Sequence, residues 1–256
     1  KEKEEVILVR NTRPITVVET SGTIKLCSEE SNHHLWAVTF SGNKIVIASH
    51  HGIVDGRGSM PLRSSIIYYY CKERYDMNLE PGLNMKTMET PMDPEEYCYP
   101  FANAEKLPGY ADAVVEENSS SINSYILHLD HKLSDQPGCC TVLEIPEDKF
   151  MAFCKKNGGT PNTVTNLLFA GVYEQNKTVK DSEVVMEIIA DLRSGLGINW
   201  CHEPAVAGLT FNYGNYKDLP FDEQNAKLRT DLRTGVNHDN MLKLIKKKVM
   251  NLRNID

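Results

Sequence analysis

The sequence predicts an α/β fold, a two-layer sandwich built on mixed sheets. Three observations carry this. Short β-branched runs and longer stretches of helical period are interspersed along the chain. No internal repeat, heptad array or low-complexity tract interrupts them. At 256 residues, with 41% hydrophobic and 25% charged side chains, the composition is globular and the length suits one large domain or two small ones.

The elements follow in chain order. Residues 5–10 and 15–19 are short and β-branched, as strands are. Residues 34–41 and the apolar run 45–48 flank Ser41-Gly42-Asn43 and read as a β-hairpin. Met60, Leu62, Ile66, Ile67, Tyr70 and Cys71 fall near helical spacing, which predicts a helix over 59–75. Residues 77–120, rich in Pro, Glu, Asn, Met and Ser, read as a long irregular connection with one short helix. Strands are expected over 124–129 and 139–145. A helix then opens at Pro146 with acids at its positive end and runs to Lys156, where Gly158-Gly159 ends it. Thr160 caps a further helix from Pro161 to about Gln175. Residues 184–190 and 209–213 are strands, and 222–253 is a long helix broken near Gly235-Val236-Asn237.

Composition also narrows the function. A net charge of −7 argues against nucleic acid as the main partner, because phosphate binding needs a basic face. No apolar run approaches the ~18 residues of a membrane span. The charged start, Lys1 to Glu5, is unlike a signal peptide, and the missing initiator Met points to a processed or incomplete piece. The seven cysteines include no Cys-x-x-Cys pair and read as buried reduced thiols of a cytoplasmic protein. The stretch Lys243-Leu-Ile-Lys-Lys-Lys could meet a membrane or an acidic carrier protein, but it reads more simply as a solvated helix face.

One segment carries chemistry: His50-His51-Gly52-Ile53-Val54-Asp55-Gly56. It stands where an apolar strand ends and a loop begins. A histidine with an unperturbed pKa of ~6.5 can accept a proton from a nucleophile at neutral pH, provided that its ring is held in orientation. A carboxylate such as Asp55 can order the loop by pairing with an arginine, and Gly56 permits a tight turn and close approach of a ligand. Side chains alternate along an extended segment, so one histidine is expected to face the site and the other the fold. His33-His34 lacks the acid and glycine and reads as structural. Metal chemistry is a weaker reading of His50, His51 and Asp55, because no spaced third histidine appears.

The motif resembles the active-site segment of the chloramphenicol acetyltransferase-like superfamily. Arg57-Gly58-Ser59-Met60 through Tyr68-Tyr69-Tyr70 is most similar to its alcohol acetyltransferase and condensation-domain branch. Leu143 to Tyr173, with Gly158-Gly159-Thr160-Pro161-Asn162, resembles the start of that branch's second half. Val184 to Arg193 and Gly208 to Asn212 resemble its later strands. The resemblance implies two acetyltransferase-like halves, 1–135 carrying the motif and 136–256, both incomplete beside the branch as a whole. It also implies transfer of an acyl group from a thioester to an alcohol or amine. His51 would be the general base, His50 a support, and Asp55 a structural residue in an ion pair. Arg193 is the chosen partner of Asp55, and Gly56, Asn212 and Tyr213 would line the substrate path. No permanently bound cofactor is implied: acyl-CoA or a phosphopantetheinyl thioester on an acyl carrier protein serves as co-substrate. A catalytically silent, condensation-like module that only docks a carrier protein is the alternative.

Overall fold

β1 (Val17–Glu19), β2 (Trp36–Ser41) and β3 (Lys44–Ser49) form one sheet in the order β1-β2-β3. The pairing is mixed: β1 runs parallel to β2, and β3 runs antiparallel to it with Trp36 opposite Ser49 and Ser41 opposite Lys44. Gly42 and Asn43 turn the hairpin, and Gly42 takes a φ of +57°, a left-handed value that glycine adopts without steric cost. The central strand is buried on successive residues, Ala37, Val38 and Thr39, so its two faces are both covered. The edge strands are not, with Val17 and Val46 exposed.

The computed structural model describes residues 10–82, 85–115 and 143–253. The chain divides into two compact units, Lys1–Ala102 with Leu196–Ala205, and Asn103–Gly195 with Val206–Asp256. The first holds the sheet above and α1 (Met60–Tyr75), which carries Pro61 in its first turn and Lys72 and Arg74 in its last, as the helix dipole favours. It ends at Asp76 in a left-handed conformation. The irregular stretch after α1 has 3-10 turns at Pro94–Tyr97 and Ala104–Lys106, where one short helix was expected.

The second unit contains α2 (Glu147–Lys156), α3 (Pro161–Asn176), β4 (Val185–Asp191), β5 (Val206–Asn212), α5 (Phe221–Gly235) and α6 (His238–Arg253). A single turn, α4 (Arg193–Leu196), was not expected from the sequence. Gly158 follows α2 at φ +62°, and the Thr160 hydroxyl accepts from Thr163 N at 3.3 Å to cap α3. β4 and β5 pair antiparallel, with Val185 opposite Asn212. Along β4, Met186, Ile188 and Ala190 point inward and Glu187 and Ile189 outward, the period-two pattern of a one-sided strand. Leu167, Ala170, Met186, Ile188, Tyr216 and Leu228 form the core beneath it. Asn237 Oδ1 accepts from Asn240 N at 2.9 Å and restarts the helix after the break at Gly235.

The protein is therefore mixed helix and sheet with small sheets. Parallel pairing is confined, among the described residues, to β1 with β2; the second sheet is antiparallel rather than mixed. The expected strands over 5–10 and 124–129 lie wholly or mostly outside the described residues, as does the expected boundary at 135. Of the expected strand 139–145, only 143–145 are described, and they carry no ladder. No helix among the described residues is long and apolar enough to cross a membrane. The cysteines depart from expectation: Cys154 and Cys201 are buried, but Cys27 and Cys98 are exposed, because each sits in a surface turn rather than on a core-facing element. In α6, Met241, Leu242, Ile245 and Val249 are buried while Lys243 and Lys247 are exposed, the arrangement of a solvated amphipathic helix.

Candidate active site

β3 delivers the motif. Its hydrogen-bonded course ends at Ser49, and His50 N donates to the O of Leu35, the residue before β2, at 2.8 Å. The chain then turns: Ile53 N donates to His50 O at 3.2 Å, and Gly52 N donates to His50 Nδ1 at 3.1 Å. In a neutral ring this acceptor role leaves the His50 proton on Nε2. The turn breaks the alternation that an extended segment would impose. Both His50 and His51 are exposed, so the expectation that one of them would point into the fold is corrected. His51 stands on the solvent side of a turn that the neighbouring imidazole helps to hold.

Asp55 is the buried member, with 4% of its surface exposed. Its Oδ1 accepts from Gly58 N at 2.7 Å and its Oδ2 from Ala205 N at 3.0 Å. One carboxylate thus closes its own loop and ties that loop to a segment 150 residues away. Hydrogen bonds to a charged acceptor are the strong kind, ~1.5–3 kcal/mol each. The segment 196–205 makes further ties within the same unit. Asn199 N and Trp200 N donate to Glu95 Oε2 at 3.2 and 3.4 Å, His202 N donates to Glu96 O at 2.8 Å, and the Arg57 guanidinium lies 5.9 Å from the Trp200 ring centroid.

His202 and Glu96 are supports that sequence reasoning missed. Gly58 O lies 2.9 Å from His202 Nδ1 and can only accept, so that nitrogen carries a proton. The other ring nitrogen lies 3.4 Å from Glu96 Oε2. Glu96 is buried and also accepts from Lys86 Nζ at 2.5 Å and Asp93 N at 2.9 Å. Burial pushes its carboxyl up, but these hydrogen bonds, with the charges of Lys86 and His202, bring it below the ordinary carboxylate value. Neither residue had a sequence signal, because both act through folding contacts rather than spacing.

The steric demand for glycine lies two residues beyond the expected place. A Cβ on Gly56 would meet nothing within 4 Å, whereas one on Gly58 would come within 2.2 Å of His202 O. Gly56 serves instead through its carbonyl, which accepts from Ser59 Oγ at 2.9 Å.

The remaining expected residues belong to the second unit. Arg193 is buried, and its guanidinium donates to Asp191 Oδ1 at 3.1 Å. Asn212 closes the end of β5, its Oδ1 accepting from Gly214 N at 2.8 Å. Tyr213 packs in the core, where burial raises its phenol above the usual tyrosine value. Among the described residues no group of three or more His, Cys, Asp and Glu side chains could hold a metal ion. His34, in the other histidine pair, is buried with Nε2 2.8 Å from Arg13 O, which fits a structural role.

No protein-family model matches the chain, and no curated protein matches it. Among solved structures it is similar to TRI101 of F. sporotrichioides, crystallised with coenzyme A and T-2, at 13% identity and a TM-score of 0.32. The match covers 84% of this chain and 48% of TRI101, so the chain spans about half of that protein's length.

Proposed function

We propose that the chain carries the chemistry of a chloramphenicol acetyltransferase-like acyltransferase, moving an acyl group from a CoA or carrier-protein thioester to an alcohol or amine. One observation supports this most. The buried Asp55 carboxylate fixes the loop through Gly58 N and Ala205 N, while the His51 imidazole stays exposed at the end of β3.

His51 takes the proton of the acceptor O–H or N–H as the acceptor attacks the thioester carbonyl. A tetrahedral oxyanion forms, stabilised by whatever donors face it. Its collapse breaks the C–S bond, and the departing thiolate takes the proton back from the imidazolium. No acyl-enzyme is formed, so no Ser or Cys nucleophile is required. His50 and Asp55 are positioning residues. The pairing of Asp55 with Arg193 remains part of this reading, and a double-mutant cycle of Asp55→Asn with Arg193→Gln reads it directly. Asn212 and Tyr213, each with a local structural role, are not needed for the reaction as written.

Free-thiol release from acetyl-CoA across a panel of alcohols and amines tests the reading. His51→Ala should lower the rate by ~10²–10⁴-fold, the usual contribution of a general base, with the fold intact by circular dichroism. Full activity in that variant would overturn the mechanism. If the unaltered chain releases no more thiol than His51→Ala, the carrier-docking alternative takes its place.

A further inference from the structure

We propose that the first unit also holds a pocket for a medium-length alkyl chain ending in carbonyl or carboxyl oxygens. A cavity of about 590 Å³ lies wholly within this unit, beside the motif turn. That volume falls in the range of small-molecule sites, ~300–1,000 Å³. Its wall is apolar: Trp36 and Ile47 come from the sheet, Ile53 and Val54 from the turn after His51, and Leu62 from α1. His202 also lines it but brings little unmet polarity, because Nδ1 serves Gly58 O and Nε2 faces Glu96. A ligand with polar groups along its length would leave them unpaired against this wall, which penalises binding. An alkyl chain would not.

The head group is set by Arg63, which lines the cavity and is itself exposed. Among the described residues its guanidinium makes one long hydrogen bond, 3.4 Å from Nη2 to Gly56 O, and pairs with no carboxylate. A planar guanidinium suits paired oxygens. Ser49 also lines the cavity, and its hydroxyl is a further donor. The shared chemistry is an aliphatic chain with an oxygen head, from either a free fatty carboxylate or the acyl group of a thioester. This site is read by binding alone and does not depend on turnover.

Calorimetric titration of the whole chain with butanoate, octanoate, octan-1-ol and octanoyl-CoA tests the assignment. Each buried methylene contributes about fourfold in affinity, so octanoate should bind on the order of two hundredfold more tightly than butanoate. Octan-1-ol should bind about tenfold more weakly than octanoate, and Arg63→Gln should remove that difference. Leu62→Trp should block octanoate, and Ile47→Ala should shift the preferred chain to a longer one. Displacement of octanoate by octanoyl-CoA, but not by CoA, identifies the thioester as the source; octanoate binding without displacement identifies the free acid. Equal affinities for butanoate and octanoate, or unchanged octanoate binding in a folded Leu62→Trp, would overturn the site. Thiol release together with equal affinities for butanoate and octanoate sinks this assignment and leaves acyl transfer standing. Chain-length-dependent binding with no thiol release above His51→Ala sinks acyl transfer and leaves the pocket.

Discussion

Two buried polar side chains tie distant segments together, one in each unit, and they do so differently. In the first unit Asp55, a carboxylate, bonds to two backbone amides, Gly58 N and Ala205 N, at the end of a three-stranded sheet. In the second, Asn225, a neutral amide, accepts from the Thr163 hydroxyl at 2.9 Å and donates to Phe221 O at 2.8 Å. It does so on α5, beside an aliphatic core that includes Leu167 and Leu228. The motif loop leaves Ile53 and Val54 half-buried, and the Asp55 carboxylate supplies its ties to Gly58 N and Ala205 N. The helix seam has a core already and uses its polar tie to fix which turn meets which. A glycine guards each tie. A Cβ on Gly58 would meet a backbone carbonyl at 2.2 Å, whereas one on Gly159 would meet the Asn225 side chain at 2.3 Å. The first obstacle is backbone and cannot rotate away; the second is side chain, Asn225 together with Val164 Cγ2 at 2.6 Å, and can yield in part.

Four substitutions break or sharpen this contrast. Both tryptophans, Trp36 and Trp200, belong to the first unit, so indole fluorescence during urea unfolding follows that unit, and hydrogen exchange follows the second. Asp55→Ala has the largest expected effect, because it removes two charge-assisted hydrogen bonds and leaves two buried amides unmet. The fluorescence transition should lose ~3 kcal/mol or more, and an unchanged midpoint would remove Asp55 as the anchor. Gly58→Ala should come next, at ~2–3 kcal/mol, since the loop or the 196–205 segment must move. Gly159→Ala should cost ~1–2 kcal/mol, seen in the exchange rates of α3 and α5, because the side chains of Asn225 and Val164 can shift where a backbone carbonyl cannot, at the loss of the Thr163 bond. A larger penalty at Gly159 than at Gly58 would reverse the comparison.

The smallest effect is a pH dependence. The Glu96 carboxyl lies below its ordinary 4.5 in the folded protein. A carboxyl depressed by folding stabilises the native state above its unfolded value, and that contribution is lost as pH falls through the folded value. The first unit should therefore weaken as pH drops below about 4.5, and Glu96→Gln should flatten that slope. Identical acid profiles for the two proteins would dismiss the Lys86–Glu96–His202 chain as a support.

Much of the local structure was legible because its signals are local. Gly42-Asn43 marked the hairpin, Gly158-Gly159-Thr160 marked a helix end and the next helix start, and Gly235 to Asn237 marked the break between α5 and α6. Each is a short-range backbone preference that the sequence states outright. The α4 turn was not legible, since four residues are too few to show a period. The orientation of the histidine pair was misjudged for a related reason. Alternation holds only while the backbone stays extended, and the bonds from Gly52 N and Ile53 N to His50 end that condition one residue past β3.

The sequence by itself determined that a histidine pair, an aspartate and a glycine would stand at a strand end, because all four lie within seven residues of chain. It also determined the helices and strands that flank them. Only the tertiary structure decided which of these residues is buried, and that Ala205, His202 and Glu96 close around the loop. Those contacts join residues more than a hundred positions apart. Nothing in their spacing announces them, because a pairing between remote backbone and side-chain groups is selected only when the whole unit packs.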